Sequence, residues 1–200
     1  MFKEIHKELE FITSYLNKQE KDKVRDALLL SEEAHSNQLR KSGDPFITHP
    51  IEVAKILTSI KLDGDSIVAG LLHDTLEDTE LGIDEIEKNF GKHISELVQG
   101  LTKISKYSLK ANNQKFGENY KKLILATTKD LRVILIKLAD RLHNMRTISF
   151  INDNSKKNNV ALETLEVYSP LAQRLGMKEW QDELEDRSFA IINSDARKSI

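Results

Sequence analysis

The chain contains no cysteine, so disulfide bridges and thiolate metal sites are excluded. It also has no apolar run approaching the roughly 20 residues that a membrane-spanning helix needs. The formal net charge is only −2, which gives no overall electrostatic case for binding nucleic acid or an anionic membrane. The charged, amphipathic start from Met1 to His6 argues against a secretory signal. We therefore expect a soluble, cytoplasmic protein without nucleic-acid or membrane partners.

Helix-breaking residues are scarce as well, with three prolines and eight glycines in 200 residues. Apolar residues recur at steps of three and four along most of the chain, the period of amphipathic helices. Hairpin signals, internal repeats and low-complexity tracts are missing from the pattern. The sequence therefore predicts an all-α fold of about eight to ten helices. Its length suits one domain over residues 1–200, with a core of about 25–190 and an N-terminal helix over 1–17 packed on it.

Local signals predict where the first helices begin and end. The second helix should start near Val24 and end near Gly43, since Asp44–Pro45 cannot continue it. Thr48 is a plausible N-cap for the third helix, with Pro50 in its tolerated first turn.

Later helices follow from the same rules. Asp65 is predicted to cap a helix that runs directly into His73–Asp74, and Asp130 to cap another that contains Asp140. Residues 105–118 have no clear period and are predicted to be a loop, after which the helical period resumes near Tyr120. The last two predicted helices span about 156–174 and 178–193.

The segment from His73 to Asp78 is rich in titratable side chains. Residues four apart share a helix face, so His73 aligns with Glu77 and Asp74 aligns with Asp78. A solvated helix face explains such a stripe about as well as a functional site does. Asp140 weakens that alternative, because it interrupts an apolar helix, and a buried carboxylate is costly unless it is paired or metal-bound.

Four residues are therefore candidate metal ligands: His49, His73, Asp74 and Asp140. His49 alone would more often be a structural histidine, and its value lies in the set. Two imidazoles and two carboxylates suit a divalent transition metal, which can activate water. Glu77 and Asp78 are then candidates for proton transfer. This combination predicts metal-dependent phosphohydrolysis.

Residues Arg40, Lys41 and Ser42 could hold an anionic ligand, although the segment by itself slightly favours a basic helix C-terminus that complements the helix dipole. Asn144 follows Asp140 by one turn and should face the same pocket. The remaining polar candidates are secondary. At least one of Lys137, Arg141 and Arg146 should face solvent or form a structural pair, and His143 should have a supporting or structural role rather than ligate. His6, His35 and His93 should be surface residues.

The order His, His-Asp, Asp is that of the HD superfamily of metal-dependent phosphohydrolases, and the chain closely resembles the hydrolase domain of the RelA/SpoT family. The resemblance covers roughly residues 25–190. It is carried by these strings: residues 40–50 (RKSGDPFITHP), 71–79 (LLHDTLEDT), 90–91 (FG), 101–103 (LTK), 137–147 (KLADRLHNMRT), 168–176 (YSPLAQRLG) and 183–186 (ELED).

This resemblance implies an HD-domain helical bundle that removes the 3′-pyrophosphate from ppGpp or pppGpp, usually with Mn²⁺. Carried over by position, His49, His73, Asp74 and Asp140 are the ligands, Glu77 and Asp78 are the catalytic acidic pair, and Arg40, Lys41, Ser42 and Asn144 contact the nucleotide. Synthetase-only relatives have lost the His-Asp and Glu-Asp pairs, so their presence here favours an active hydrolase.

There are departures from the family pattern. Phe46 stands where the family often has tyrosine, and Gln173 replaces a common histidine. The synthetase and regulatory domains of bifunctional members are expected to be lacking. Two alternatives stay open: an HD phosphatase that acts on another nucleotide such as NADPH, and an alarmone-binding regulatory domain without catalysis.

Overall fold

The structure is a computed structural model that describes residue 9, residues 12–108 (with side chains up to 103) and residues 130–193. Within these ranges the chain is helical, and its one β feature is an isolated antiparallel bridge between Leu39 and Pro45. The all-α prediction is confirmed. The helices are α1 (Lys18–Ala34), α2 (Thr48–Ser59), α3 (Gly64–Leu72), α4 (Thr75–Asp78), α5 (Ile83–Phe90), α6 (Lys92–Ser108), α7 (Arg132–Arg146), α8 (Asn154–Glu163), α9 (Ser169–Arg174) and α10 (Lys178–Ile192).

Side-chain caps determine where several helices begin. Asn17 and Glu20 form a reciprocal capping box at the start of α1, each accepting the backbone N–H of the other. At α3 the cap is Asp63, which accepts the Ser66 N–H at 2.8 Å, so the prediction of Asp65 as the cap is wrong. Asp65 lies inside the first turn instead. Asp130 accepts the Arg132 N–H at 2.9 Å at the start of α7, close to its predicted role.

Helix α1 ends at Ala34, so the prediction that it continues to near Gly43 is wrong. The chain turns back on itself over residues 35–47, which we call the basic loop. Its tip is closed by hydrogen bonds from Arg40 N to Asp44 O at 2.8 Å and from Gly43 N to Arg40 O at 2.9 Å. Gly43 has a φ of 91°, a left-handed conformation that a helix cannot contain. Residues 40–42 are therefore part of a loop and not a basic helix C-terminus.

The prediction that one helix runs on into His73–Asp74 is also wrong. Helix α3 ends at Leu72, and the Thr75 hydroxyl donates to the Leu72 carbonyl at 2.7 Å where the next turn begins. The single turn α4 then carries Glu77 and Asp78. We call residues 74–79 the acidic turn.

Helix α6 extends to Ser108, so the predicted loop over 105–118 is wrong for its first four residues. The rest of that loop, the helix expected near Tyr120 and most of the helix over 1–17 lie outside the described residues. The predicted helix over 156–174 corresponds to α8 and α9, joined by a π-helical turn at Thr164–Tyr168. Helix α10 agrees with the prediction to within one residue. None of the described helices is long and apolar enough to cross a membrane.

Helix α3 lies at the centre of the described structure, where it packs against α1, α2, α6 and α7. Every one of its residues except Asp65 is buried. A Cβ at Gly70 would lie 2.6 Å from Leu57 Cδ1 of α2, so the absence of a side chain permits this close approach. The consequence is that the C-terminus of α3, the start of α2 and the middle of α7 meet at one point.

Candidate metal centre and adjoining cavity

Three of the four predicted ligands form a buried cluster at the meeting point of α2, α3 and α7. One ligand atom from each of His49, His73 and Asp140 lies within 4.8 Å of the others. Asp74 adjoins them, since its Oδ1 lies 3.1 Å from His73 Nε2 and its Oδ2 lies 3.5 Å from His49 Nε2. The structure thus brings the four predicted ligands together.

The two histidines are oriented in the same way. His73 Nδ1 donates to the Gly70 carbonyl at 2.8 Å, and His49 Nδ1 shares a proton with His143 Nδ1 at 2.6 Å. Both Nε2 atoms therefore point towards the carboxylates, and the His73 Nε2 has no hydrogen-bond partner of acceptable geometry although it is buried. Metal-ligating histidines are held in this way by a hydrogen bond at the second ring nitrogen.

The electrostatics of the cluster follow from burial and the two carboxylates. Burial disfavours the charged form of His73, but Asp74 and Asp140 outweigh it and raise its pKa to about 10. Burial would raise the pKa of Asp74, yet His73 lowers it to about 2. Burial, His49 and Arg40 lower the pKa of His143 to about 3, so this ring is neutral and can accept the His49 proton. The space between the carboxylates of Asp74 and Asp140 therefore favours a positively charged group.

Asp140 is also held by its own helix. Lys137 Nζ lies 2.7 Å from Asp140 Oδ2, and Asn144 Nδ2 donates to Oδ1 at 2.6 Å. Burial opposes the ammonium charge, but Asp140 raises the pKa of Lys137 above its usual range. Arg141 and Arg146 pair instead with glutamates of the C-terminal helices, Glu163 and Glu183 respectively.

The donor set fits a divalent cation. Two imidazole Nε2 atoms with fixed rings and two ionised carboxylates, one of them neutralised in part by a lysine, form a mixed nitrogen and oxygen site. Such sites are typical of divalent transition metals.

Glu77 and Asp78 lie one turn beyond the ligands His73 and Asp74. Glu77 is half-buried, whereas Asp78 is exposed. Partial burial and the Asp74 charge raise the pKa of Asp78. Both side chains line an acidic cavity of about 720 Å³ that Glu33, Glu80 and Glu85 also line.

A second cavity, of about 430 Å³, opens beside the cluster of candidate metal ligands. Its lining includes all four predicted substrate residues: Arg40, Lys41, Ser42 and Asn144. Asn144 joins the two regions, because it donates to Asp140 and its Oδ1 lies 3.4 Å from Arg40 Nη2. The sequence-predicted cluster of ligands and the predicted anion-binding loop are therefore neighbours.

Sequence reasoning missed several residues of this cavity. Thr147 Oγ1 lies 3.3 Å from Arg40 Nη2, and its position one turn after Asn144 was a usable signal. Phe150, Ile151 and Lys156 also line the cavity. Their positions after the end of α7 carried no signal, because nothing in the local pattern shows that the chain returns to the cavity there.

The prediction that His35 is a surface residue is wrong. It is only 2% exposed, and its ring stacks on Phe46 with 4.4 Å between ring centroids. Phe46 in turn meets His49 edge-on. His93 is exposed as expected, and His143 supports His49 as predicted. His6 lies outside the described residues.

Comparison with known proteins defines the class of this protein. Residues 27–178 match the family model of the HD domain. The chain belongs to the HD-domain family, and the HD-domain helical-bundle prediction is confirmed.

Among curated proteins, the chain is similar to enzymes of (p)ppGpp metabolism. It is 45% identical over 183 residues to the bifunctional (p)ppGpp synthase/hydrolase SpoT of Escherichia coli K12, covering 92% of this chain and 26% of that protein. It is 48% identical over 174 residues to a GTP pyrophosphokinase of Myxococcus xanthus, covering 86% of this chain and 23% of that protein. The chain thus spans about a quarter of the length of these relatives, and the resemblance to the RelA/SpoT family is confirmed.

A solved structure is similar across almost its whole length. It is a metazoan orthologue of SpoT that hydrolyses ppGpp, with 25% sequence identity and a TM-score of 0.63. The match covers 86% of this chain and 95% of that chain.

Proposed function

We propose that this protein is a Mn²⁺-dependent (p)ppGpp 3′-pyrophosphohydrolase, which converts ppGpp or pppGpp to GDP or GTP and pyrophosphate. The observation that carries the proposal is the contact of Asn144 with both Asp140 and Arg40, which joins a metal-type cluster to a cavity lined by basic side chains. The similarity to the Escherichia coli (p)ppGpp synthase/hydrolase SpoT and to the ppGpp-hydrolysing metazoan orthologue supports it.

In this proposal His49, His73, Asp74 and Asp140 hold the metal. Mn²⁺ accepts imidazole and carboxylate donors together, as the donor set requires. When bound, the ion supplies a Lewis acid that activates water and neutralises charge on a phosphoryl oxygen. Lys137 holds Oδ2 of Asp140, and Oδ1, which also accepts from Asn144, faces His49 Nε2 at 3.2 Å.

Glu77 and Asp78 are proposed as the acidic pair that orients water and moves protons. The raised pKa of Asp78 favours this role, because a general acid or base works best when its pKa approaches the working pH. Arg40, Lys41 and Ser42 are proposed to bind the nucleotide, with Asn144 placed between nucleotide and ligand Asp140. Phe46 stands where the family often has tyrosine, so its side chain offers no hydroxyl and instead stacks on His35.

The proposal includes a cytoplasmic location, where guanine nucleotides are made and used, and it requires neither a nucleic-acid nor a membrane partner. It also treats residues 1–200 as one hydrolase domain.

The test is the release of pyrophosphate from ppGpp and pppGpp by the purified chain with Mn²⁺, with Mg²⁺ or with chelator. We expect rapid release with Mn²⁺ and none with chelator. Orthophosphate released from NADPH, with ppGpp left intact, would support a phosphatase of different specificity. Tight binding of ppGpp without pyrophosphate release in Mn²⁺ would support a regulatory domain.

A further inference from the structure

We propose that Gln38 is a positioning residue that fixes the acidic turn relative to the basic loop, so that nucleotide binding and the Glu77–Asp78 pair are mechanically connected. The inference rests on the proposed function for its kinetic consequence. Its structural content, a link between the two segments, is independent of which nucleotide binds.

The Gln38 side chain spans the two segments. Its Nε2 donates to the backbone carbonyl of Asp78, and its Oε1 lies 2.9 Å from His35 Nδ1. A carbonyl can only accept, so Nε2 must face Asp78 and Oε1 must face His35. His35 therefore carries its proton on Nδ1 and donates it to Gln38. Both the nitrogen and the oxygen of the Gln38 side-chain amide are therefore hydrogen-bonded.

The end at His35 is firmly anchored. His35 is 2% exposed and stacks on Phe46, whose backbone N–H donates to the Gln38 carbonyl at 3.0 Å. The Gln38 N–H donates in turn to the His35 carbonyl at 3.0 Å. Gln38 thus lies at the closed base of the basic loop, and its amide has little freedom to move away.

The turn that carries Asp78 is only weakly stabilised by its own hydrogen bonds. Helix α4 is a single turn of four residues, and an isolated turn of this length is unstable in water. Its internal hydrogen bonds run from Glu77 N and Asp78 N to the Asp74 carbonyl, and from the Thr79 N–H and hydroxyl to the Thr75 carbonyl. Contacts from other elements must therefore set the direction of Glu77 and Asp78, and Gln38 supplies one of them from the loop that carries Arg40.

The experiment compares Gln38→Glu with Gln19→Glu. The first variant has nearly the same shape, keeps an acceptor for His35 and removes the donor to Asp78. The second makes the same amide-to-acid change and adds the same charge on an exposed residue in the first turn of α1, away from the acidic turn. Gln38→Met, which removes both hydrogen bonds without adding charge, separates the lost donor from the added charge.

We expect both Gln38 variants to lower kcat by about 10- to 100-fold, the effect of misplacing a catalytic group by about an ångström. In Gln38→Glu the KM for ppGpp and the Kd for Mn²⁺ should change less than about two-fold and the Tm less than about 2 °C, as in Gln19→Glu, whereas Gln38→Met also leaves the buried His35 donor without an acceptor and should lower the Tm by several °C. A merely structural role would instead lower Tm and raise KM together.

Amide hydrogen exchange across residues 74–79 is the second readout. Exchange should be at least about five-fold faster in both Gln38 variants and unchanged in Gln19→Glu. If the wild type releases no pyrophosphate but exchange still rises in the Gln38 variants, the positioning role stands and the proposed function fails. If exchange and kcat of the Gln38 variants match those of Gln19→Glu, the positioning role is overturned.

Discussion

Asp140 is approached by cationic or donor groups at both of its oxygens, with Lys137 at Oδ2 and Asn144 and His49 at Oδ1. The change Asp140→Asn forces an amide N–H towards one of these groups and removes a ligand charge. We expect Mn²⁺ affinity to fall by at least 100-fold and the free energy of unfolding to fall by about 3 kcal/mol, the usual cost of breaking a buried ion pair. Isothermal titration and urea unfolding measure the two effects, with the exposed Asp182→Asn as control.

Glu77 should behave differently, because it follows the ligands by one turn. We expect Glu77→Gln to keep Mn²⁺ binding within about three-fold while kcat falls by about 10²- to 10⁴-fold, the usual contribution of a general acid or base. Mass spectrometry measures the metal content, and pyrophosphate release measures kcat. Loss of the metal would show instead that Glu77 is a ligand.

At the scale of elements, the conformation of the basic loop depends on Gly43. Its φ of 91° costs a residue with a Cβ about 1 kcal/mol, although no neighbouring atom would clash with that Cβ. We expect Gly43→Ala to raise the KM for ppGpp several-fold, by displacing Arg40–Ser42, with little change in kcat. The KM of Gly43→Asn should lie between those of the wild type and Gly43→Ala, because asparagine tolerates the left-handed region better than alanine does. A fall in kcat at unchanged KM would contradict this account.

Helices α7 and α10 are joined by an ion pair that makes stability depend on pH. Hydrogen bonds from Arg146 and then Arg187 lower the pKa of Glu183 to about 2. Because the pKa is lower in the folded state, the stabilisation is complete above about pH 5 and is lost as the pH falls towards 2. Allowing for solvent screening of a partly exposed pair, we expect about 1 kcal/mol. Urea unfolding of Glu183→Gln and wild type should differ at pH 7 and converge near pH 2.

At the scale of the whole molecule, metal binding should couple to stability and to protons. Mn²⁺ at 100 times its Kd should stabilise the fold by about 2.7 kcal/mol, and chelation should lower the Tm by roughly 5–10 °C for a chain of this size. His73, with a pKa raised to about 10, must lose its proton to ligate, so affinity should rise with pH between 6 and 9. Calorimetry in buffers of different ionisation enthalpy measures the released proton. An affinity independent of pH would count against His73 as a ligand.

The helical pattern was predictable where a helix buries one periodic apolar face, as α1 does with Val24, Ala27 and Leu28 and α6 does with Ile94, Leu97, Val98 and Leu101. The errors arose where a tertiary contact overrides local preference. Helix α1 stops at Ala34 because His35 is taken into a buried stack with Phe46, a partner eleven positions away. The cap of α3 was misplaced by two residues because both Asp63 and Asp65 have the right chemistry, and only the backbone decides between them.

The site was more predictable than its surroundings. His49, His73, Asp74 and Asp140 lie in strings whose residue types already imply the chemistry, and the structure brings them together. The roles of Glu77 and Asp78 remain predictions. The return of α8 and Lys156 to the cavity depends on how α7 packs on the C-terminal helices, which no single-sequence pattern contains.

Lys137, beside the cluster of candidate metal ligands, sets the sign of the net charge that an anionic substrate such as a polyphosphate would meet. Asp74 and Asp140 carry two negative charges and Lys137 one positive charge, so with neutral imidazoles the cluster is a monoanion. A divalent ion turns it into a monocation, whereas a monovalent ion leaves it uncharged. Under the proposed function, Lys137 thereby makes attraction of an anionic substrate conditional on the valence of the bound ion.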